Sequence, residues 1–158
     1  MSCAAAGQAE YALSYQPTLQ MLAAEGLPLV RVGVLVAQPL NALVALEDGP
    51  VKTIADFKGR KIGFSIAGFE EELLGAMLEK AGLSLKDVTL INVNFALTTA
   101  LMSKQVDGVI GAFRNFELND LALHKAKGRL WEVEKNGVPT YDESVSYTHL
   151  TLPTIYSV

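Results

Sequence analysis

Residues 61–82, KIGFSIAGFEEELLGAMLEKAG, decide the fold. Ile62-Gly63-Phe64 reads as a short strand, Ser65 and Gly68 break it, and Leu73, Leu74, Met77, Leu78 and Ala81 recur at the spacing of one buried helical face. The unit is therefore strand, tight loop, helix. In such a corner the carboxyl end of a strand meets the amino end of a helix, so unpaired backbone N–H groups and the positive end of the helix dipole face one crevice. That geometry suits a small polar ligand, and it suits equally a capped turn that binds nothing.

Working outward, the same unit recurs. On the amino side, Glu10–Ser14 reads as a strand, Gln16-Pro17 opens a helix to Ala24 with proline where its missing N–H has no partner to lose, and Leu29–Ala37 is a strong β-branched strand. Pro39-Leu40-Asn41 interrupts, and Ala42–Leu46 resumes, so a loop is expected at Asn41. Glu47-Asp48-Gly49-Pro50 is a polar turn cluster and the clearest boundary signal. On the carboxyl side come a single helical turn at Thr53–Phe57, strands at Val88–Val93, Val106–Ala112 and Leu130–Val133, and helices at Leu97–Lys104 and Asn115–Lys125. Strands alternating with helices specify an α/β architecture of parallel βα units.

An internal echo supports two lobes of like topology. Gln8–Leu13 and Gln105–Ile110 share a pattern of Gln, small or branched residue, acid and apolar strand. Each leads through a polar-aromatic loop, Ser14-Tyr15-Gln16-Pro17 or Phe113-Arg114-Asn115-Phe116-Glu117, into a helix. The expected division is a partial first lobe over residues 1–46, a second lobe over 47–143, and a tail over 144–158. The tail is Thr-, Ser- and Leu-rich where the preceding chain is Ala-, Lys- and Glu-rich, so it is set apart as non-native, with a genuine edge strand as the alternative.

Composition narrows the function classes. Thirteen Lys plus Arg against 17 Asp plus Glu, without long runs, leave a formal charge of -4 and no basic footprint for nucleic acid. Cys3 alone cannot form an internal disulfide, and two histidines without a cysteine partner give no zinc pattern. No apolar run is long enough for a membrane-spanning helix.

At this point the residues resemble a family. GQAEYALSYQP (7–17), QPLNALVALEDGPVKTIADFKGRKIGFSIAGFEEELLGAMLEKAG (38–82) and KQVDGVIGAFRNFEL (104–118) are similar to the periplasmic substrate-binding proteins of ABC importers. The likeness is to the branch that binds thiamine-pyrimidine precursors, itself similar to the eukaryotic pyrimidine-precursor synthase. The resemblance implies two periplasmic-binding-protein-like lobes joined by a hinge, with the second nearly complete. It also implies a pyrimidine ligand, with riboflavin or a sulfonate as the alternative, an inner-membrane ABC permease as partner, a periplasmic parent protein, a monomer and no cofactor. Because such proteins are about twice as long, the chain is expected to be a fragment.

A pyrimidine with an exocyclic amine needs flat apolar contact on its faces and a few hydrogen-bonding groups at its edge. Tyr15, Phe69, Phe113 and Phe116 are candidates for the faces. Ser14, Gln16, Asn41, Ser65, Glu70, Asn94, Asn115 and Glu117 are candidates for the edge, with Gly68 shaping the loop between them. Glu117 is the expected acidic anchor, and the resemblance gives the acid of its RNFE loop that role. Glu117 and Glu70 suit first-turn helix acids as well, and Phe69 and Phe116 suit a core. The synthase is expected to use a lysine-bound pyridoxal cofactor with a histidine and a cysteine-rich segment. Here only His124 and His149 are available and no cysteine cluster, so the sequence reads as a binder without catalytic residues.

Overall fold

The Lys61–Gly82 unit forms as its spacing requires. In the computed structural model, which describes residues 9–149, β4 (Lys61–Phe64) runs into α2 (Phe69–Lys80). Leu73, Leu74, Met77 and Leu78 form the buried face of the helix. Gly68 sits just before the helix at φ +83°, a conformation that a side chain disfavours, and the Glu71 carboxylate accepts its N–H at 2.9 Å.

The chain divides into two units, one comprising Leu40–Thr140 and the other the residues up to Pro39 together with those from Tyr141 onward. The larger unit holds a five-stranded sheet in the order β5-β4-β6-β3-β7, with β3 Asn41–Leu46, β5 Thr89–Asn92, β6 Gly108–Phe113 and β7 Gly128–Glu132. β4 is parallel to β5 and β6, as the helical crossovers α2 and α3 (Leu97–Met102) demand. β3 is antiparallel to both β6 and β7, so parallel pairing is confined to three strands of this α/β unit. β3 is buried from Asn41 to Ala45, the mark of a strand covered on both faces. Asn41 is accordingly the first residue of β3, paired with Phe113, and not a loop residue. Helix α2 supplies buried Leu74, Met77 and Leu78, while α3 and α4 (Glu117–Leu123) supply Leu101 and Leu121 to a cluster with Ala42, Val44, Val93, Val109 and Ala112.

The smaller unit is an antiparallel sheet, β1-β8-β2, formed by Ala12–Ser14, Ser144–His149 and Leu29–Val36. Helix α1 (Gln16–Ala24) places Leu19 on Val145 and Tyr147, with Ala12 and Leu29 beside them.

Three expectations are corrected here. The boundary falls at Pro39/Leu40 and Thr140/Tyr141 and not at Leu46/Glu47, because β3 is inserted between β6 and β7. Residues 144–149, set apart on composition, form the central strand of the smaller sheet, since Val145 and Tyr147 alternate inward with Ser144, Ser146 and Thr148. This sheet is antiparallel where parallel βα units were expected. Cys3 and the remainder of the tail, 150–158, lie outside the described residues.

Candidate functional site

Strand pairing in the larger unit brings one set of corners to a single sheet edge. Phe64 pairs with Asn92 and Phe113 with Asn41, so Ser65, Asn94, Asn41 and the loop after Phe113 stand at the same end of β4, β5, β3 and β6. Because β4, β5 and β6 run in the same direction, their carboxyl ends coincide, the place where open α/β sheets bind ligands.

Two first-turn glutamates shape these corners. Glu70 is 3% exposed, and its carboxylate accepts the Ser65 N–H at 2.6 Å. It fits only because residue 111 is glycine: a Cβ there would lie 2.3 Å from the Glu70 Oε1, and Gly111 also adopts φ +87°. Glu117, 9% exposed, accepts the Phe113 N–H at 2.5 Å. Burial pushes the Glu117 carboxyl above its usual range, and nearby Asp120 adds to this, against the opposing hydrogen bonds from the backbone N–H groups of Phe113 and Glu117 itself. Both acids thus build their own loops, and a ligand at either would share a carboxylate already engaged with backbone.

The remaining candidates separate by exposure. Phe69 is 5% exposed and belongs to the core, whereas Phe116 is 61% exposed. Asn41 is buried, Phe113 half-buried, and Asn94 and Asn115 exposed, with Asn94 in a left-handed turn at φ +51° after donating its N–H to the Asn92 Oδ1 at 2.8 Å. The Ser65 hydroxyl is buried without a hydrogen-bond partner, leaving a donor and an acceptor at the corner. In the smaller unit, Ser14, Tyr15 and Gln16 occupy the β1-to-α1 corner and are half-buried. Gln16 spends its Oε1 accepting the Asp142 N–H at 2.9 Å.

Sequence reading overlooked two residues. Phe95, beside Asn94, is 83% exposed at the same sheet edge, and its position after a strand was the available signal. Arg114 is the cation of the β6 corner, and it is not open to solvent anions. Its Nη2 reaches both Glu134 oxygens at 2.8 Å, and Nη1 lies 3.5 Å from Glu132.

A family model described as NMT1/THI5 like matches residues 1–153. The chain belongs to this family. Among relatives of this NMT1/THI5-like chain, a Haemophilus influenzae protein named for thiamine biosynthesis is 55% identical over 142 residues, 90% of this chain and 45% of its own length. The formylaminopyrimidine-binding protein of Halalkalibacterium halodurans is 33% identical over 141 residues, 89% of this chain and 43% of that protein. The crystal structure of the periplasmic aliphatic sulphonate binding protein of Escherichia coli matches with a TM-score of 0.75 at 22% identity, over 93% of this chain and 50% of that one. The NMT1/THI5-like chain thus has a periplasmic-binding-protein fold, and it spans less than half the length of these two curated relatives. Among its described residues, no helix is long and apolar enough to cross a membrane.

Proposed function

We propose that the chain is the ligand-binding part of an ABC importer's solute receptor, that it takes a thiamine-precursor pyrimidine, and that the parent protein is periplasmic and delivers this ligand to a membrane permease. The observation that carries the reading is the convergence of Ser65, Asn94, Asn41 and the Phe113–Glu117 loop at one sheet edge whose arginine is neutralised by Glu132 and Glu134. Such an edge offers neutral donors, neutral acceptors and buried carboxylates, which suit an amine-bearing heterocycle. Exposed Phe116 and Phe95 supply aromatic surface for its faces. Kinship with a formylaminopyrimidine-binding protein over 89% of the chain supports the same ligand class. Binding without catalysis is the reading that the longer matches favour. Relatives named as pyrimidine phosphate synthases match only 56% or 62% of the chain.

A sulfonate receptor is the second reading, favoured by the fold of the Escherichia coli neighbour. A sulfonate needs a free cation or several convergent donors, and Arg114 is already held in a bidentate contact. Isothermal titration of the chain with formylaminopyrimidine, 4-amino-5-hydroxymethyl-2-methylpyrimidine and an alkanesulfonate decides between them. Heat of binding from a pyrimidine, weakened at least tenfold by Ser65→Ala or Asn115→Ala, is the expected result. Binding of the sulfonate alone overturns the proposal.

A further inference from the structure

On the α2 side of the larger unit lies an open surface pocket of about 360 Å³ that none of the corner residues lines. Its lining includes Lys52, Ile54, Met77, Lys80, Trp131 and Asn136. Met77 is fully buried and Ile54 8% exposed, so the floor is apolar and fixed. Trp131 is held by an edge-on contact with buried Phe57, ring centroids 6.0 Å apart at 72°. Two lysines are among the lining residues. Lys52 donates from Nζ to the Glu47 carbonyl at 2.5 Å and Lys80 from Nζ to the Lys135 carbonyl at 2.7 Å. Each tether uses one of three ammonium protons and leaves two to donate.

Neither lysine is neutralised. Among the described residues no carboxylate lies within 4.0 Å of either ammonium, although the chain carries more acids than bases and places Glu132 beside Lys135 and Arg114 nearby. Asp56, on the adjoining turn, is occupied by the backbone N–H groups of Lys52 and Thr53. The last turn of α2 borders the pocket with its negative dipole end, worth about half a charge, and two full positive charges outweigh it.

From this arrangement we infer that the pocket is a second ligand site, for a small anion of the carboxylate or phosphate-monoester class that carries a flat apolar group. The anion meets Lys52 and Lys80, and the apolar group lies against the half-buried Trp131. A volume of this size is at the lower end of the range for small-molecule sites. The inference does not rest on the pyrimidine reading, because the two sites share no residue.

Trp131 is the chain's single tryptophan, so its fluorescence reports the pocket directly. The test titrates the chain with phenyl phosphate, inorganic phosphate and benzyl alcohol. A saturable change with phenyl phosphate is expected, with inorganic phosphate and benzyl alcohol each at least tenfold weaker. The affinity should fall with added salt and drop at least tenfold in Lys52→Gln/Lys80→Gln. Both lysines are exposed, and an unchanged thermal midpoint shows that this variant is folded. Absence of a saturable signal overturns the inference, as does an unchanged affinity in the double variant. Displacement of phenyl phosphate by a pyrimidine that binds at the corners overturns the assignment to a separate site.

Discussion

Glu117 accepts the backbone N–H of Phe113 at 2.5 Å, and the glutamate that closes this corner is only 9% exposed. Glu70 repeats the relationship one corner away, on Ser65. In both cases an acid in the first helical turn reaches back to fix the loop before its helix, where the helix dipole also favours negative charge. The corner geometry therefore depends on these two side chains whether or not a ligand is present.

Glu70→Ala leaves the Ser65 N–H without its acceptor and opens space beside Gly111. The expected loss is about 1–3 kcal/mol of stability, read by urea unfolding. Glu70→Gln keeps an oxygen in place and should lose less. Equal stability of all three proteins would show that the contact is incidental.

Gly111→Ala should destabilise more than an ordinary surface change, because it adds a Cβ at φ +87° and drives it into the Glu70 carboxylate. The left-handed conformation alone costs roughly 1–2 kcal/mol. Adding Glu70→Ala removes the clash but not the backbone strain. The double variant should therefore be more stable than the sum of single losses predicts, by about 0.5–3 kcal/mol. Simple additivity would rule out the close approach.

The raised Glu117 carboxyl has a defined pH signature. A carboxylate whose folded-state pKa lies above its unfolded value holds its proton more tightly when folded. Its favourable contribution is therefore complete below the ordinary glutamate range and is lost as pH rises through the folded pKa. Glu117→Gln removes this dependence while retaining an oxygen to accept the Phe113 N–H. Thermal midpoints of the two proteins should converge in acid, and the variant should gain on the native chain as pH climbs to neutrality. An advantage of the variant that is greatest in acid would contradict the assigned direction.

β2 exposes Val32 at 51% and Leu35 at 54%, and its one strand partner among the described residues is β8. An apolar edge of this kind invites pairing with other chains. Val32→Lys and Leu35→Lys should raise the concentration at which light scattering appears, with the melting midpoint almost unchanged. Unaltered scattering would locate the aggregation-prone surface elsewhere.

Tyr147 is 3% exposed on β8 and closes the small core with Leu19 and Val145. Tyr147→Ala should cost about 3 kcal/mol, and hydrogen exchange should accelerate in β1, β2 and α1 before it does in β3, β4 and β6. Uniform acceleration would mean that the two units unfold as one.

Much of this was legible from residue order alone. The α2 face, the apolar run of β3 and the succession of corners follow from periodicity, and the stretches that carry the family likeness lie in those elements. Strand direction was harder, because periodicity reports which residues face a core and not which strand lies alongside, so the antiparallel placement of β3 could not be read from Asn41–Leu46. Burial of Glu70 was invisible for a related reason. The space it fills is created by a glycine on β6, far along the chain. In β8 the alternation of Val145 and Tyr147 with Ser and Thr was present, but a composition argument outweighed it. Arg114 drew no attention in the sequence, because the acids that hold it, Glu132 and Glu134, lie about twenty positions further along.

The split construction of the smaller unit sets an order of events during synthesis. β2 leaves the ribosome long before β8, and Arg31 waits for Asp142, 111 positions later, to complete its ion pair. At roughly 5–20 residues per second, the intervening Leu40–Thr140 segment is translated over several seconds, time enough for it to fold first. The nascent chain therefore passes through an interval in which an apolar edge strand has no partner, and that interval is when it is most open to pairing with other chains.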